Sequence, residues 1–363
     1  MKKINIPIDQ NSYDVLLGHD IFNQLLDIIS KLKLNKNIML IVDKNLYNIR
    51  KEEIDLLRKT YDGKLAVLAI HATEKLKSFN TLQKIFTQLL MNEYGRDTLL
   101  VALGGGIIGD VVGFASSIFS RGVQYIQVPT TLLAAVDSSV GGKTGINFEN
   151  TKNIIGTFNQ PKFVLIDSTL LTTLPKKEMI SGLGEVIKYA YLANKDFYQY
   201  VLSNIDNIIS KKQDVLEKII EESVRFKGDV VANDEKETGA RKILNLGHTF
   251  AHALEVEQNY KIKHGHAVIV GIACALYLSQ RLNLLDDKKL ESLLTLLVQI
   301  KDLIKISNVD LKKCYSIMKR DKKNRDGKIK FVLLKDIGNL IIDVEAKESD
   351  INYALKKGIS IFR

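Results

Sequence analysis

Four of the chain's six histidines, His248, His252, His264 and His266, fall within nineteen residues. Imidazole is the commonest metal ligand and the one side chain that titrates near neutral pH without perturbation. His248 and His252 are spaced i,i+4 in an apolar-periodic stretch, which puts them on one helix face. His264 and His266 follow a short polar segment that can turn the chain back. A chance cluster of surface histidines would not need apolar flanks or ligand spacing, and this window has both. Two imidazoles and a carboxylate make a catalytic metal site with an open position. The spacing pairs His248 with His252 and leaves the third ligand open.

A second chemical signal is the glycine loop at residues 103–110, which follows a strand pattern and opens a helical one. Gly104, Gly106 and Gly109 match G-x-G-x-x-G, whose glycines let the backbone approach a pyrophosphate at a helix N-terminus. A tight strand-to-helix turn is the plainer reading of these glycines, and the loop does not follow the first strand, as it would in the usual dinucleotide fold. Asp43, ending an earlier strand, is then a candidate for a ribose hydroxyl. Thr130 and Thr131 place two hydroxyls beyond another strand, where a helix cap is the simpler role. Residues 137–147 pack small residues with Asp137 and Lys143 into an expected loop. Its Gly-Gly-Lys-Thr suggests a P-loop, but Asp137 stands where that motif needs its first glycine, which argues against an NTPase. Lys152 and Asn153 follow closely.

Glu185 and Lys188 lie in a Gly-x-Gly-Glu-x-x-Lys run at an apolar helix start. They could be an ordinary i,i+3 pair, but the two glycines indicate close approach of something else. Lys227, Glu237, Arg241 and Asn245 lead into the histidine segment. If that segment is helical, the last three form a stripe at i, i+4 and i+8 that His248 continues; a solvated face is the alternative.

These side chains need about two domains to position them in 363 residues. Strand patterns at 36–42, 64–70, 97–103, 125–128 and 163–166 alternate with helical ones at 78–90 and 107–117, which predicts parallel strands covered by helices. Beyond Pro175 long amphipathic segments take over: 176–193, 196–209, 212–231, 244–257, 267–281 and 288–298. A hairpin pattern follows at 328–334 and 338–344. The expectation is an α/β Rossmann-like domain over residues 1–174 and a mainly α-helical domain over 175–363. No apolar run is long enough to span a bilayer. The start, Met-Lys-Lys-Ile-Asn-Ile-Pro, lacks a signal-peptide core, and the only cysteines are Cys274 and Cys314. A reduced, cytoplasmic protein is expected. The net charge of +10 first suggests nucleic acid, but the lysines are scattered and form no dense block with interleaved aromatics. An anionic small molecule explains the lysines in Gly-rich motifs better.

Taken together, residues 104–110, Arg121-Gly122, Pro129-Thr130-Thr131, residues 137–147, Lys152-Asn153, residues 182–188 and 241–252, and His264-Gly265 resemble the 3-dehydroquinate synthase family. The resemblance runs from about Asp43 to residues 321–323. It implies conversion of 3-deoxy-D-arabino-heptulosonate 7-phosphate to 3-dehydroquinate and phosphate, with NAD recycled and a divalent metal, zinc or cobalt. The implied metal ligands are Glu185, His248 and His264, with His252 an acid–base or substrate-contacting group. NAD would lie against Asp43, Glu74, Lys77, Gly105, Gly106, Gly109, Asp110, Thr130, Thr131, Lys152, Leu170, Leu171, Thr172 and Thr173. The substrate would meet Asp137, Lys143, Asn153, Lys188, Lys227, Arg241, Asn245 and one of Lys322 or Lys323. Glu237 resembles a second proton acceptor, and Arg121 would reach the phosphate from the other subunit of a homodimer. A hydride that returns to its donor implies NAD retained in an interdomain cleft.

The chain departs from the family pattern at Ala251 (usually Gly), His266 (usually Glu) and Ala72-Thr73 before Glu74 (usually a Gly). The nearest rival is another sugar phosphate cyclase, acting on sedoheptulose 7-phosphate or glucose 6-phosphate. An NAD- and metal-dependent polyol dehydrogenase would leave Arg121, Lys188 and Lys227 idle. Neither a nucleic-acid nor a membrane partner is expected.

Overall fold

The computed structural model describes residues 1–8, 11–149, 151–320 and 328–363. Lys322 and Lys323 lie outside the described residues. The chain folds as two compact units, Met1–Pro175 with Gln213–Lys236, and Lys176–Lys212 with Glu237–Arg363.

The strands of the first unit are β1 (Lys2–Ile6), β2 (Tyr13–Gly18), β3 (Asn37–Asp43), β4 (Leu65–Ile70), β5 (Thr98–Gly104), β6 (Gln124–Pro129), β7 (Lys143–Phe148), β8 (Thr151–Phe158) and β9 (Phe163–Asp167). Seven of them form one sheet in the order β1-β2-β9-β6-β5-β3-β4. β1 and β2 are antiparallel, and the remaining neighbours are parallel. Sequence alternation explains the burial of both faces. Ile38, Leu40, Val42, Leu99, Val101 and Leu103 pack on one side, while Met39, Ile41, Leu100 and Ala102 pack on the other with Ile108, Val111 and Val112 of the helix Gly106–Ile118. All five strand patterns read from the sequence correspond to observed strands, shifted by a residue or two.

Two expectations for this unit need correction. Residues 137–147 are not a free loop: Ala134–Ser138 is a π-helical turn, and β7 pairs antiparallel with β8. Gly-Gly and the mixed polarity of β7 concealed the strand. The helix Gln213–Asn233 was expected in the second domain, yet it belongs to the first unit. Lys2 Nζ bonds Glu221 Oε2 at 2.7 Å, and Ser168 Oγ donates to Glu217 Oε1 at 3.1 Å. A Cβ on Gly228 would come within 2.6 Å of Ile6 Cδ1. The helix therefore lies on the antiparallel edge, which the strand patterns did not reveal.

Among its described residues the second unit is helical except for loops and a hairpin of β10 (Lys330–Asp336) and β11 (Asn339–Glu345). Its long helices are Lys176–Leu192, His264–Arg281, Asp287–Gln299 and Glu348–Ser360. The last of these and the helix Leu311–Arg320 were not anticipated. Three expected helices have different limits. The 196–209 segment breaks at Asn204. The 244–257 segment is a 3₁₀ turn, Ala240–Asn245, then the helix His248–Glu257 after Gly247, whose φ of +76° suits only glycine well. The 267–281 helix starts at His264, three residues early.

Candidate active site

In the second unit Glu185 lies mid-way along the helix Lys176–Leu192, not at its start, and is fully buried. The glycine beside it explains how its carboxylate meets a histidine far along the chain. A Cβ on Gly184 would lie 2.3 Å from the carbonyl oxygen of Gly265, and one on Gly265 only 1.7 Å from that of Ser181. The two helix backbones touch there, so the close approach read from the sequence is helix against helix. It sets His264, the first residue of its helix, beside Glu185. Gly271 makes the corresponding approach to Gly247, where a Cβ would meet the Gly247 oxygen at 2.2 Å. That contact holds His248 in the first turn of its own helix.

The result is a three-donor group. Glu185, His248 and His264 each offer a ligand atom, all within 4.8 Å of one another. His248 Nδ1 lies 3.1 Å from the Leu246 carbonyl. A carbonyl only accepts, so Nδ1 carries the proton and Nε2 the lone pair, 3.5 Å from Glu185 Oε1. His264 Nε2 is 3.2 Å from the same oxygen, and its Nδ1 is 3.6 Å from Glu255 Oε1. Lys188 Nζ pairs with Glu185 Oε2. Burial and then the Lys188 ammonium hold His248 well below the ordinary imidazole range. Burial would also lower His264, but Glu185 and Glu255 outweigh it and raise the group to about 10. A neutral imidazole, a second imidazole backed by a carboxylate and a buried carboxylate suit a divalent cation such as zinc or cobalt.

The spacing-based pairing of His248 with His252 gives way to this set. The two rings stand edge to face with centroids 5.4 Å apart, and His252 is not in the three-donor group. Glu237, Arg241 and Asn245 do not form one helical stripe. Glu237 has φ +57° and precedes the 3₁₀ turn. Asn245 Nδ2 nevertheless donates to Glu237 Oε1 at 3.1 Å, and Arg241 is buried. His266 is buried too, and burial lowers its pKa.

In the first unit the chain runs outward from β3 to β4, returns across β3 to β5, and then proceeds the other way to β6 and β9. The crevice between the carboxyl ends of β3 and β5 is thus the topological switch point, where open α/β sheets bind ligands. Asp43 ends β3 and accepts from the Asn45 amide at 2.7 Å, capping a short helix. Gly105 and Gly106 follow β5. A Cβ there would come within 3.0 Å of Thr131 Cγ2 and 2.8 Å of Ser138 Oγ, and one on Gly109 within 2.7 Å of Gln127 Oε1. These glycines keep the turn tight as well as exposing backbone. Thr130 N–H donates to the Gly104 carbonyl at 2.9 Å. Thr131 Oγ1 accepts from the Ala134 amide at 3.1 Å, the capping role that its sequence position favoured. Leu170 and Leu171 are core residues, while Thr172 and Thr173 are exposed.

Beside this edge Lys77 pairs with Asp110 and also bonds Asn153. Burial raises the Asp110 carboxyl, opposed by Lys77. Lys227, almost wholly buried, bonds Asp137 through both its carbonyl (2.6 Å) and its carboxylate (2.7 Å). Lys143, Lys152 and Arg121 are exposed. Sequence reading assigned no role to Glu255 or Asn147. Glu255 is three residues beyond His252 on the histidine helix, the one signal that pointed to it. Asn147 gave none.

Two family models cover most of the chain, 3-dehydroquinate synthase N-terminal over residues 67–181 and 3-dehydroquinate synthase C-terminal over residues 182–324. The 3-dehydroquinate synthase of Shewanella frigidimarina is 38% identical over 351 residues, 96% of this chain and 97% of that protein. A 2-deoxy-scyllo-inosose synthase solved with carbaglucose-6-phosphate, NAD+ and Co2+ shares the fold, with a TM-score of 0.88, 24% identity and coverage of 98% of this chain and 100% of that one. So does the 2-epi-5-epi-valiolone synthase of Streptomyces hygroscopicus subsp. jinggangensis, solved with NAD+ and Zn2+, with a TM-score of 0.86, 22% identity and coverage of 97% and 98%.

Proposed function

The chain belongs to the 3-dehydroquinate synthase family, and on that premise we propose that it converts 3-deoxy-D-arabino-heptulosonate 7-phosphate to 3-dehydroquinate and phosphate, using NAD and a divalent metal ion. The observation that carries the reading is the convergence of Glu185, His248 and His264 on one point. The fold shared with two cyclases solved with NAD+ and Co2+ or Zn2+ supports the same cofactors.

When bound, NAD would take a hydride from the substrate's C5 and return it, while the cation polarised the oxygen there. The protein's own groups bind, orient and move protons. Glu185, His248 and His264 would hold the metal, the Leu246 carbonyl fixing the His248 tautomer. The backbone at Gly105, Gly106 and Gly109, with Asp43, Glu74, Lys77, Asp110, Thr130, Thr131, Lys152 and residues 170–173, would hold NAD at the switch point. For residues 170–173 that role falls to the backbone and the two threonines, since both leucines are buried.

Lys143, Asn153, Lys188, Lys227, Arg241 and Asn245 would bind the substrate's carboxylate, hydroxyls and phosphate, Arg as a fork and Lys as a point charge. Asp137 would keep the Lys227 ammonium aimed. His252 Nε2 or Nδ1 would exchange a proton with the substrate, and Glu237, held by Asn245, would accept a second. Arg121 would reach the phosphate from the other subunit of a homodimer. No helix among the described residues is long and apolar enough to cross a membrane; the cytoplasmic location is part of the proposal.

The test is phosphate release by the metal-loaded enzyme with NAD. Release from 3-deoxy-D-arabino-heptulosonate 7-phosphate should far exceed that from sedoheptulose 7-phosphate, and absorbance at the NADH wavelength should not grow with product. Faster release from sedoheptulose 7-phosphate would transfer the chain to a different cyclase activity. Stoichiometric NADH would make it a dehydrogenase.

A further inference from the structure

Asn147 sits where the β7–β8 hairpin loses its regular pairing: Ile146 faces Ile155 and Phe148 faces Thr151, so the register shifts across it. Its amide N–H is therefore free to bond elsewhere, and it donates to the Lys77 carbonyl at 2.8 Å. Its side chain is fully used. Nδ2 donates to the Glu74 carbonyl at 3.2 Å and to Glu74 Oε1 at 2.7 Å. Oδ1 accepts from the Asn153 amide at 2.9 Å. One residue thus fastens three pieces of backbone: its own strand, the turn Glu74–Leu76 with Lys77 after it, and the far arm of the hairpin.

The consequence lies in what those pieces carry. The turn bears Glu74 and Lys77. The far arm bears Lys152 and Asn153, and Asn153 adopts φ +51°, a left-handed conformation that asparagine tolerates better than most non-glycine residues. Lys77 closes a ring by bonding Asn153 Oδ1 and pairing with Asp110 on the glycine-loop helix. We propose that Asn147 is a positioning residue, which locks the hairpin to the Glu74–Lys77 turn and so couples the NAD-holding groups to the substrate-contacting Asn153. The coupling rests on the functional reading given above for Glu74, Lys77, Lys152 and Asn153; the lock rests on the hydrogen bonds alone. Only a primary amide offers two donors and an acceptor here. An aspartate would keep the bond from Asn153 but meet the Glu74 carboxylate with a like charge and no proton to donate.

The experiment compares wild type with Asn147→Ala and Asn147→Asp, and uses Glu74→Gln with the double variant Asn147→Asp/Glu74→Gln to restore a donor–acceptor pair in the reverse sense. Amide hydrogen exchange without ligands should quicken at least about tenfold at Asn153 and its hairpin neighbours in Asn147→Ala, and stay unchanged in β3 and β5. Unchanged exchange in the hairpin overturns the lock. In the metal-loaded enzyme, the dissociation constant for NAD and the KM for the sugar phosphate should each rise about ten- to thirtyfold in Asn147→Asp, with kcat within about threefold and the melting temperature nearly fixed. The double variant should bind NAD about as well as Glu74→Gln alone. Effects of the two substitutions that simply multiply would overturn the pairing. Loosened exchange with no change in NAD affinity or KM would overturn the coupling. Failure of the functional reading shows itself separately, as a wild-type enzyme that neither binds NAD nor releases phosphate.

Discussion

Lys227 Nζ grips Asp137 twice, at its carbonyl and its carboxylate, across ninety positions of sequence. This bond ties the helix Gln213–Asn233 to the π-helical turn Ala134–Ser138 within the first unit. Lys227→Met removes the ammonium while keeping most of the buried stem. Asp137 is a quarter exposed, so water screens part of the loss, and urea unfolding should show about 1–2 kcal/mol less stability. A purely structural lysine predicts no more than that. A substrate-binding one predicts in addition a kcat/KM reduced by about 2–4 kcal/mol, thirty- to a thousandfold. Kinetics that stay near wild type would remove Lys227 from the substrate site.

Glu255 stands 3.6 Å behind His264 Nδ1, in the place where metal-bound imidazoles commonly meet a carboxylate. Exhaustive chelation should abolish turnover, and zinc or cobalt should restore it. Glu255→Gln keeps the shape and removes the charge. Its zinc affinity, read by competition with a chromogenic chelator, should fall about ten- to a hundredfold. Equal affinity would make Glu255 a bystander, and full activity in metal-free enzyme would sink the metal site altogether.

Buried phenols and thiols give the stability a defined alkaline limit. Burial raises Tyr125 and Tyr191 above the usual phenol range, raises Cys274 above the usual thiol range and pushes Cys314 up to about 12. In the unfolded chain these groups ionise from about pH 8.5 to 10. As pH rises through that range the unfolded state comes to bind fewer protons than the folded one, so stability must fall past about pH 9. The urea midpoint should be lower at pH 10.5 than at pH 8. At pH 8 both cysteines should resist an aromatic disulfide reagent until the protein unfolds; rapid reaction in native protein would contradict their burial.

The parts of this fold that the sequence made legible are those where burial leaves a local pattern. β3 and β5 are apolar on both faces because both faces are covered, and Gly104–Gly106 mark the turn after β5. Other features depend on contacts between distant segments. β7 reads as a loop because Gly141, Gly142 and a polar alternation hide it. The helix Gln213–Asn233 has the same amphipathic pattern as the helices of the second unit, so periodicity could not assign it. The three-donor group shows the limit most clearly. Spacing alone joined His248 to His252, whereas Glu185 reaches His264 only because Gly184 and Gly265 let two helix backbones touch. Family resemblance supplied that triple before geometry could. Glu255 and Asn147 escaped because each works through another residue.

Arg121 offers the sharpest separation of a structural from a functional role. The helix opened by the glycine loop ends at Ile118, and Arg121 lies beyond it, exposed, in a turn where Ser120 has φ +49° and Arg121 φ +67°. Two successive left-handed non-glycine residues cost about 1–3 kcal/mol each and persist only where their surroundings fix them. A cation serving only the helix dipole would not need that conformation and would contribute about 0.3–1 kcal/mol. In the proposed homodimer the guanidinium would instead fork onto the phosphate in the neighbouring active site. Arg121→Ala should then leave stability within about 1 kcal/mol of wild type and lower kcat/KM by about 2–5 kcal/mol. Mixing it with Glu185→Ala tests where the arginine acts. Mixed dimers carry one site with both residues intact only if Arg121 works across the interface, so activity should return on mixing. If subunit exchange is verified and no activity returns, Arg121 does not serve the partner's site, whatever the enzyme's reaction.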